Sequence, residues 1–210
     1  MDDVLKRNEA RLLDDFVTDV VDGLLLDPKP ITQADRAGLN QPGIYAIWAQ
    51  PSAWQELGID FRPGVPLYVG KAERSIASRD LVDHFAIDSS RKARTGSSTV
   101  RRSFAALFRS QLRLRAIPRN PGKPDGSANF GLAPDADERL SIWMKDTLAL
   151  SAWLKPHGIQ TSLAEIEANL IRHFEPPLNL TSNPNPHPAL AAARAVMAAE
   201  ARVWKSSESR

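Results

Sequence analysis

The sequence contains no cysteine. This absence excludes disulfide frameworks, Cys-ligated zinc, iron–sulfur clusters and cysteine nucleophiles, and it is typical of a protein in a reducing compartment. No apolar run approaches the ~20 residues that span a bilayer, and the acidic N-terminus MDDVLKRNEA lacks the apolar core of a signal peptide. We therefore expect a cytoplasmic protein with no membrane segment and no membrane partner.

The rest of the composition is that of an ordinary globular domain. Hydrophobic residues make up 42% and charged residues 25% of the 210 positions, which excludes disorder, collagen and coiled coils as the main architecture. A chain of this length builds one domain of roughly 100–200 residues, with room for additions. We predict an N-terminal helical extension over 1–36, a central domain over 37–182 and a C-terminal helix over 183–210.

The net charge of +2 hides an uneven distribution along the chain. Residues 71–123 carry 13 Lys and Arg against 4 Asp and Glu, whereas residues 1–36 carry 5 against 9. Closely spaced cations displace counterions from a nucleic-acid backbone, so the block is one candidate for a phosphate-binding surface. A solvated helical face is the equally weighted alternative.

Hydrophobic periodicity places the elements of the first half of the chain. Leu and Val recur at three-to-four spacing over 4–25, which predicts an amphipathic helix. The β-branched and aromatic runs GIYAIWA (43–49) and PLYVGKA (66–72) predict two strands. The connection between them is long for a hairpin, so we expect a short helical turn within it. A further helix is predicted over 76–86.

In the second half, an apolar stripe predicts a helix over 98–115, and four prolines predict a long loop over 117–138. The runs LSIWMK (140–145) and TLALSAWL (147–154) are interpreted as a strand pair. Two helices follow, the first stopped by Pro176 and Pro177, the second in the alanine-rich stretch 188–204. This order predicts an α/β (α+β) fold: a small, mainly antiparallel sheet flanked by helices, with helical additions at both termini.

Two carboxylates on one predicted helix differ in position. At about 100° per residue, Leu163, Leu170, Ile171 and Phe174 fall within about 60° of Glu167. Glu165 projects to the opposite side, three residues after Ser162, where a capping-box glutamate belongs. A carboxylate inside an apolar stripe is costly unless a cation, metal or hydrogen-bond donors meet it, so Glu167 is either a functional ligand or half of a buried salt bridge.

Three further residues are distinguished by position. The chain has only two tyrosines, and Tyr45 and Tyr68 occupy equivalent places in GIY and YVG of the two predicted strands. Tyrosine in a sheet is usually packing, and Asn179, twelve residues after Glu167, follows a helix where asparagine usually serves a turn or a cap. Taken singly, each is better explained by structure than by function.

Taken together in this order, these residues resemble the GIY-YIG nucleases, a superfamily that includes restriction enzymes, homing endonucleases and a repair incision domain. The resemblance covers about residues 43–180. It consists of GIY at 43–45, YVGKA at 68–72, Arg79 and His84 on the following helix, and the pattern E-A-N-L-I…P-x-N from Glu167 to Asn179. It implies a GIY-YIG-like fold for the central domain, with a basic insertion at about 88–138.

What the resemblance implies for function is hydrolysis of DNA phosphodiester bonds with one Mg²⁺ or Mn²⁺ ion in each active site. Glu167 is implied as the metal ligand. Tyr45 is implied as the general base, with Lys71 lowering its pKa. Tyr68 and Arg79 are implied to hold the scissile phosphate, His84 to orient water or phosphate, and Asn179 to fix the site geometrically.

The chain departs from the family pattern in two spacings. Twenty-two residues separate Tyr45 from Tyr68, so an insertion must loop out between the strands. Arg79 lies eleven residues after Tyr68, slightly far for the site arginine, and Arg74 is a competing candidate. Arg79 also has the alternative of a helical ion pair with Asp83.

The basic insertion carries a second candidate site. The segment TGSSTVRR (95–102) begins the arginine-rich helix, and Ser98, Thr99, Arg101, Arg102 and Arg109 are predicted to contact nucleic acid there. A Ser/Thr cap on an ordinary surface helix is the alternative. We favour contact with DNA, because a catalytic site for a polyanion needs a cationic path.

The sequence therefore supports two hypotheses about function. The first is a metal-dependent DNA endonuclease, with the insertion and terminal helices contributing to substrate choice. The second is a nucleic-acid-binding module of the same fold without catalysis. RNA remains open as a substrate, and so does action as a homodimer on DNA.

Overall fold

A computed structural model describes residues 17–78, 84–85, 95–120 and 129–204. Within these ranges no helix is both long and apolar enough to cross a membrane. Arg79 and most of the helix predicted over 76–86 lie outside the described residues, although residues 76–78 and 84 are helical. The helix predicted over 4–25 is described only in its second half, where residues 17–25 are helical and form α1.

The remaining elements follow in chain order. The strands are β1 (Lys29–Pro30), β2 (Gly43–Ala49), β3 (Tyr68–Ala72), β4 (Ala116–Pro118), β5 (Phe130–Leu132) and β6 (Leu148–Leu154). The helices are α2 (Pro51–Glu56), α3 (Thr99–Leu107), α4 (Pro134–Thr147), α5 (Leu163–Phe174) and α6 (Pro188–Arg202). The described residues also contain two short 3₁₀ turns, Ile31–Gln33 and Thr95–Ser97.

The two strands predicted from GIYAIWA and YVGKA are confirmed, and they pair with each other. The main sheet has the order β1-β6-β2-β3 with every pair antiparallel, so β3 is an edge strand. Strands β4 and β5 form a separate two-stranded antiparallel sheet. The predicted α+β fold with a small antiparallel sheet flanked by helices is therefore confirmed.

The interpretation of residues 140–145 as a strand is wrong, because this run belongs to α4. Its buried residues Ala136, Leu140 and Met144 recur every four positions, which is the helical period. Pro134 stands in the first turn, with acidic residues beside it, and Lys145 stands in the last turn, as the helix dipole favours. The second run is a strand as predicted, and β6 pairs with β2 instead of with residues 140–145.

Several connections also differ from the predictions. The expected helical turn between the first two strands is α2. The predicted loop over 117–138 contains β5 and the first turn of α4, while residues 121–128 lie outside the described part. The helix predicted over 98–115 ends earlier, at Leu107, and the chain then turns through Arg113 at a φ of 49°.

Helix α5 was predicted well because its sequence signals both ends. Ser162 caps it by accepting a hydrogen bond from the Glu165 backbone N–H, 3.2 Å away. Glu175 ends it in the left-handed region at a φ of 49°, directly before Pro176. The stripe between these ends is buried against the sheet, as the periodicity indicated.

Two hydrophobic cores cover opposite faces of the main sheet. On one face, α5 and α1 pack on β2 and β3 through Ile44, Ala46 and Val69. On the other face, Tyr45 and Ile47 belong to a larger core that includes residues of α3, α4 and α6. Both terminal helices therefore contribute buried residues to the cores. The domain boundaries at 36/37 and 182/183 remain predictions.

Candidate active site

The register of β2 and β3 brings the two tyrosines to one face of the sheet. Tyr45 lies opposite Gly70, and Tyr68 lies opposite Ile47, so the two phenols are diagonal neighbours on paired strands. Their ring centroids are 6.2 Å apart. Tyr45 is almost wholly buried, whereas Tyr68 is half-buried. The equivalent placement seen in the sequence thus corresponds to a real pair of phenols.

Gly70 makes room for the Tyr45 side chain. A Cβ at position 70 would overlap Cζ and Oη of Tyr45 and lie 2.9 Å from its Cε2. The ring therefore lies across the edge strand at the one position where it has no side chain. Glycine in YVG is needed for this close approach and not for an unusual backbone angle.

His84 meets the Tyr45 hydroxyl. Its Nε2 lies 3.2 Å from Tyr45 Oη, and the imidazole is buried with 1% of its surface exposed. Its Nδ1 lies 2.7 Å from the Ser98 hydroxyl. The structure thus places His84 behind Tyr45, on the buried side of the phenol, although a helical histidine is usually a surface residue.

A cavity of about 430 Å³ lies at the β3 edge of the sheet. Neighbouring residues of a strand point to opposite faces. Both faces contribute to this cavity, because no other strand in the described ranges pairs with the outer side of β3. Its walls contain Tyr45, Tyr68, Lys71, Ala72, Glu73, Arg74, Ser75, Ser78 and Glu167. The cavity therefore combines two phenols, two cations and two carboxylates.

Helix α5 supplies Glu167 to the cavity from the face opposite the tyrosines. The side chain is half-buried on the cavity wall, while Glu165 is exposed on the far side of the helix. The predicted difference between these two carboxylates is therefore confirmed. Two phenols and one carboxylate that are far apart in the sequence share one cavity.

Asn179 is close to the site but supports it from behind. Its Oδ1 accepts a hydrogen bond from the Val69 N–H at 2.9 Å, and its Nδ2 donates to the Val69 carbonyl at 2.8 Å. The side-chain amide thus pairs with the free edge of β3 as another strand would. Because Val69 stands between Tyr68 and Gly70, these two hydrogen bonds fix the backbone of both neighbours.

The cations nearest to the phenols come from β3 and the loop after it. Lys71 is paired with Glu73, and both line the cavity. Arg74 is exposed and also lines it, which gives the second candidate for the site arginine a place in the site. The role predicted for Arg79 stays a prediction, since that residue lies outside the described part of the chain.

The arginine-rich helix is placed differently from the prediction. Arg101 has no exposed surface, and Arg102 is 6% exposed. Arg101 donates to Asp137 Oδ1 at 2.7 Å, to Ser141 Oγ at 2.9 Å and to the His84 carbonyl at 2.7 Å. Burial holds the pKa of the Arg101 guanidinium below its ordinary value, and Asp137 partly offsets this. Arg101 is therefore a buried structural cation and not a surface contact.

Two more of the predicted nucleic-acid contacts on this helix, Ser98 and Arg102, are also enclosed by the protein. Arg102 donates to the Gly96 carbonyl and to Thr99 Oγ1, and Ser98 is fully buried as the N-cap of α3. Arg109 is exposed but pairs with Glu200 of α6 at 3.2 Å. The alternative of a Ser/Thr cap, weighed for the sequence TGSSTVRR, is the correct one for Ser98. Thr99 is half-buried and Arg109 is exposed, so their contact with nucleic acid stays a prediction.

Sequence reasoning missed two charged residues near the phenols. Glu73 lines the cavity beside Lys71, and no spacing in the sequence singles it out. Arg194 of α6 is half-buried; burial lowers the pKa of its guanidinium, and electrostatic interaction with Tyr68 partly opposes that shift. A lone arginine in the alanine-rich run LAAARAVMAA was the available signal for Arg194.

The oxygen donors of the cavity limit which metal it suits. The described part of the chain has no cluster of three or more His, Cys, Asp and Glu able to hold an ion. The cavity offers hard oxygen donors, the carboxylates of Glu167 and Glu73 and the two phenols. Structural zinc sites need three or four protein ligands, whereas Mg²⁺ keeps several waters and needs one or two carboxylates beside substrate phosphate. The donor set therefore fits Mg²⁺ or Mn²⁺.

Comparison with known proteins adds independent information. A search of curated proteins and a search of solved structures each found no match. A scan against protein families matches residues 43–197 to the GIY-YIG catalytic domain. This range begins at GIY and contains every described cavity residue. It ends at Met197 in α6 and so includes Arg194. The chain therefore belongs to the GIY-YIG nuclease superfamily.

Proposed function

We propose that this protein is a metal-dependent endonuclease that hydrolyses phosphodiester bonds in DNA. Membership of a nuclease superfamily supports a nucleic-acid substrate. The observation that carries the finer proposal is the shared cavity, in which Tyr45, Tyr68, Lys71, Arg74 and Glu167 meet at an open sheet edge. No other strand of the described residues pairs with the outer side of β3, which supports access of a polyanion to this edge.

The cations around the cavity suit a scissile phosphate. Lys71 and Arg74 bring positive charge from one side, and Arg194 lies near Tyr68 on another. The proposed role of the Tyr68 hydroxyl is to donate a hydrogen bond to a phosphate oxygen. Donors and cations fixed in advance stabilise the charge that develops on the phosphate in the transition state. In a complex, phosphate competes with Glu73 for Lys71, because the pair is on the surface and weak.

Tyr45 is the proposed proton acceptor for the attacking water. Tyr45 lines the cavity, and its hydroxyl is within hydrogen-bond distance of His84, while its ring packs over Gly70 and in the core. Glu167 is the proposed ligand of one Mg²⁺ or Mn²⁺ ion, with water and phosphate oxygens as the other ligands. When bound, such an ion offsets negative charge on the phosphate and the leaving oxygen.

The direct test is cleavage of supercoiled plasmid DNA by the purified full chain, with Mg²⁺, with Mn²⁺ and with EDTA. We expect metal-dependent nicking that Glu167→Gln reduces at least about 100-fold, because the ligand charge is lost. Glu165→Gln is the matched control, since it makes the same change on the exposed side of the same helix. It is expected to retain wild-type activity and to have the same Tm as Glu167→Gln within about 2 °C.

Three outcomes contradict parts of the proposal. Binding of DNA in a gel shift without cleavage under any metal condition favours the alternative, a binding module that lacks catalysis. Equal loss of activity in both glutamate variants removes Glu167 from its proposed role. Cleavage of a single-stranded RNA of matched sequence in preference to DNA contradicts DNA as the substrate class.

A further inference from the structure

Three buried side chains form a continuous hydrogen-bonded series behind the cavity. The series runs from Tyr45 Oη to His84 Nε2 at 3.2 Å and from His84 Nδ1 to Ser98 Oγ at 2.7 Å. The exposed fractions of these three residues are 1%, 1% and 0%. Water therefore does not reach Ser98, and the direction of its hydrogen bonds is set by the protein.

The hydrogen bonds of the Ser98 hydroxyl fix the direction in which its O–H donates. Its oxygen accepts the Arg101 backbone N–H at 3.1 Å, as the N-cap of α3. Among the described residues, the acceptor within reach of its O–H is Nδ1 of His84. If Nδ1 carried a proton and donated to the serine, the hydroxyl would be a fully buried donor without an acceptor, which native structures avoid. The serine therefore donates to Nδ1.

We propose that Ser98 is a positioning residue that holds neutral His84 in the tautomer with its proton on Nε2. In that tautomer the imidazole donates a hydrogen bond to Tyr45 Oη. This inference rests on the proposed function and deepens it, because it assigns the role of the buried histidine. His84 then acts on Tyr45 as a hydrogen-bond donor and not as the acceptor of its proton.

The direction of this bond matters for the chemistry. A hydrogen bond donated to a phenol oxygen favours the phenolate over the phenol. The bond therefore raises the fraction of Tyr45 that is present as phenolate, the form that accepts a proton from the attacking water. The phenol proton is released to solvent through the cavity before the attack, and no proton passes from Tyr45 to His84. With Nε2 unprotonated, the imidazole would instead accept the Tyr45 O–H and hold the phenol in its protonated form.

The surroundings of Ser98 keep the serine and the histidine in place together. Arg101, whose backbone N–H binds the Ser98 oxygen, also donates from Nη1 to the His84 carbonyl at 2.7 Å. Its other guanidinium nitrogens are held by Asp137, Ser141 and Thr95. Ser98 and Arg101, at the start of α3, thus bond to both the ring and the main chain of His84.

The chain contains its own reference for the proposed tautomer. His187 Nδ1 accepts the Ala189 backbone N–H at 3.1 Å, so neutral His187 also carries its proton on Nε2. Long-range ¹H–¹⁵N NMR distinguishes the two neutral tautomers by the shifts of the ring nitrogens. The wild-type spectrum at about pH 8, above the ordinary imidazole pKa, is expected to show the same pattern for His84 as for His187. His84→Gln identifies the His84 signal by its loss.

The tautomer is then tested by removing the serine hydroxyl. Ser98→Ala and Ser98→Gly both remove it, and glycine retains most of the stability of a helix N-cap. Ser98→Thr keeps both the donor and the cap. We expect both hydroxyl-free variants to lose the pure Nε2–H signal of His84 and to reduce kcat about 10-fold with KM within about 2-fold. Threonine is expected to restore both, and Ser97→Ala is the control at the exposed neighbouring hydroxyl.

The NMR arm needs no nuclease activity, so the two proposals fail separately. A wild-type His84 with its proton on Nδ1 overturns this inference even if DNA is cut. Wild-type kcat in Ser98→Gly also overturns it. An inactive protein whose His84 has the Nε2–H pattern, lost in Ser98→Gly, contradicts the proposed function and supports the tautomer assignment.

Discussion

Two regions of the molecule use similar polar residues differently: the β2–β3 hairpin with its cavity, and the first turns of α3. At the sheet edge, Lys71 and Arg74 are accessible beside Tyr45 and Tyr68. In α3, Arg101 and Arg102 are enclosed, and their hydrogen bonds go to the protein. The cations of both regions lie in the basic block at 71–123, yet of these four only Lys71 and Arg74 line the cavity.

The difference between the regions comes from what each element packs against. Among the described strands, β3 lies at the edge of the sheet, and Asn179 forms hydrogen bonds with its outer side at Val69. α3 packs with α6 and α4, and its arginines form hydrogen bonds with polar groups of α4 and of the turn before α3. A count of charges along the chain does not contain this information, because it depends on which elements meet.

The largest expected effect separates a buried arginine from an accessible one. Arg101→Met leaves Asp137 without its guanidinium inside the protein, so we expect a loss of about 3–5 kcal/mol in the free energy of unfolding, measured by urea denaturation. Arg74→Met is the matched control with the same change in charge. It is expected to alter unfolding by less than about 0.5 kcal/mol while slowing plasmid nicking. Similar stability in the two variants would contradict the distinction.

A smaller effect sharpens the role of the sheet edge. Gly70→Ala forces the Tyr45 ring away from β3, with an overpacking cost of about 1–3 kcal/mol and a loss of nicking. Gly58→Ala is the control: its φ is 70°, which strains alanine by about 1 kcal/mol, and its added Cβ meets no atom within 4 Å. Comparable destabilisation is expected in both, with nicking retained only in Gly58→Ala. Full activity in Gly70→Ala would show that the Tyr45 position is not critical.

Much of the fold could be predicted from the sequence where local signals and burial agree. Ser162, the apolar stripe and Pro176 define α5, and the helical period of that stripe is enough to distinguish Glu167 from Glu165. The error at 140–145 arose because Ile142 and Trp143 suggest a strand, while the helical signals lie outside that short run. Proline and acidic residues at 134–137 define α4 only when the whole 14-residue segment is considered.

The candidate site was predictable in part for a different reason. Tyr45, Tyr68 and Glu167 could be found because the family pattern fixes their order, and order survives without knowledge of packing. Ser98 and Arg101 were assigned to nucleic acid because the sequence shows their charge and hydroxyl but not their neighbours. Their hydrogen-bond partners, His84 for Ser98 and Asp137 for Arg101, come from other elements of the chain. Arg194 was missed because α6 reaches Tyr68 only in the assembled fold.

The smallest expected effect concerns an exposed ion pair outside the cavity, between Asp135 and Arg139 of α4. A hydrogen bond from Arg139 holds the pKa of the Asp135 carboxyl below its ordinary value, in the first turn of α4. A lowered folded-state pKa stabilises the protein above the unfolded-state pKa of about 4, and this contribution is lost as the pH falls through the folded-state value. Both side chains are exposed, so the effect is about 0.3–0.5 kcal/mol and decreases with salt.

The corresponding variant is Asp135→Asn, followed by urea denaturation at about pH 7 and about pH 2.5, at low and at high salt. It is expected to be less stable than the wild type at neutral pH and low salt, and equal to it in acid. Asp146→Asn makes the same change at the other end of α4, where a carboxylate opposes the helix dipole, and it should cause no loss. A loss that persists in acid would mean that Asp135 acts through packing and not through its charge.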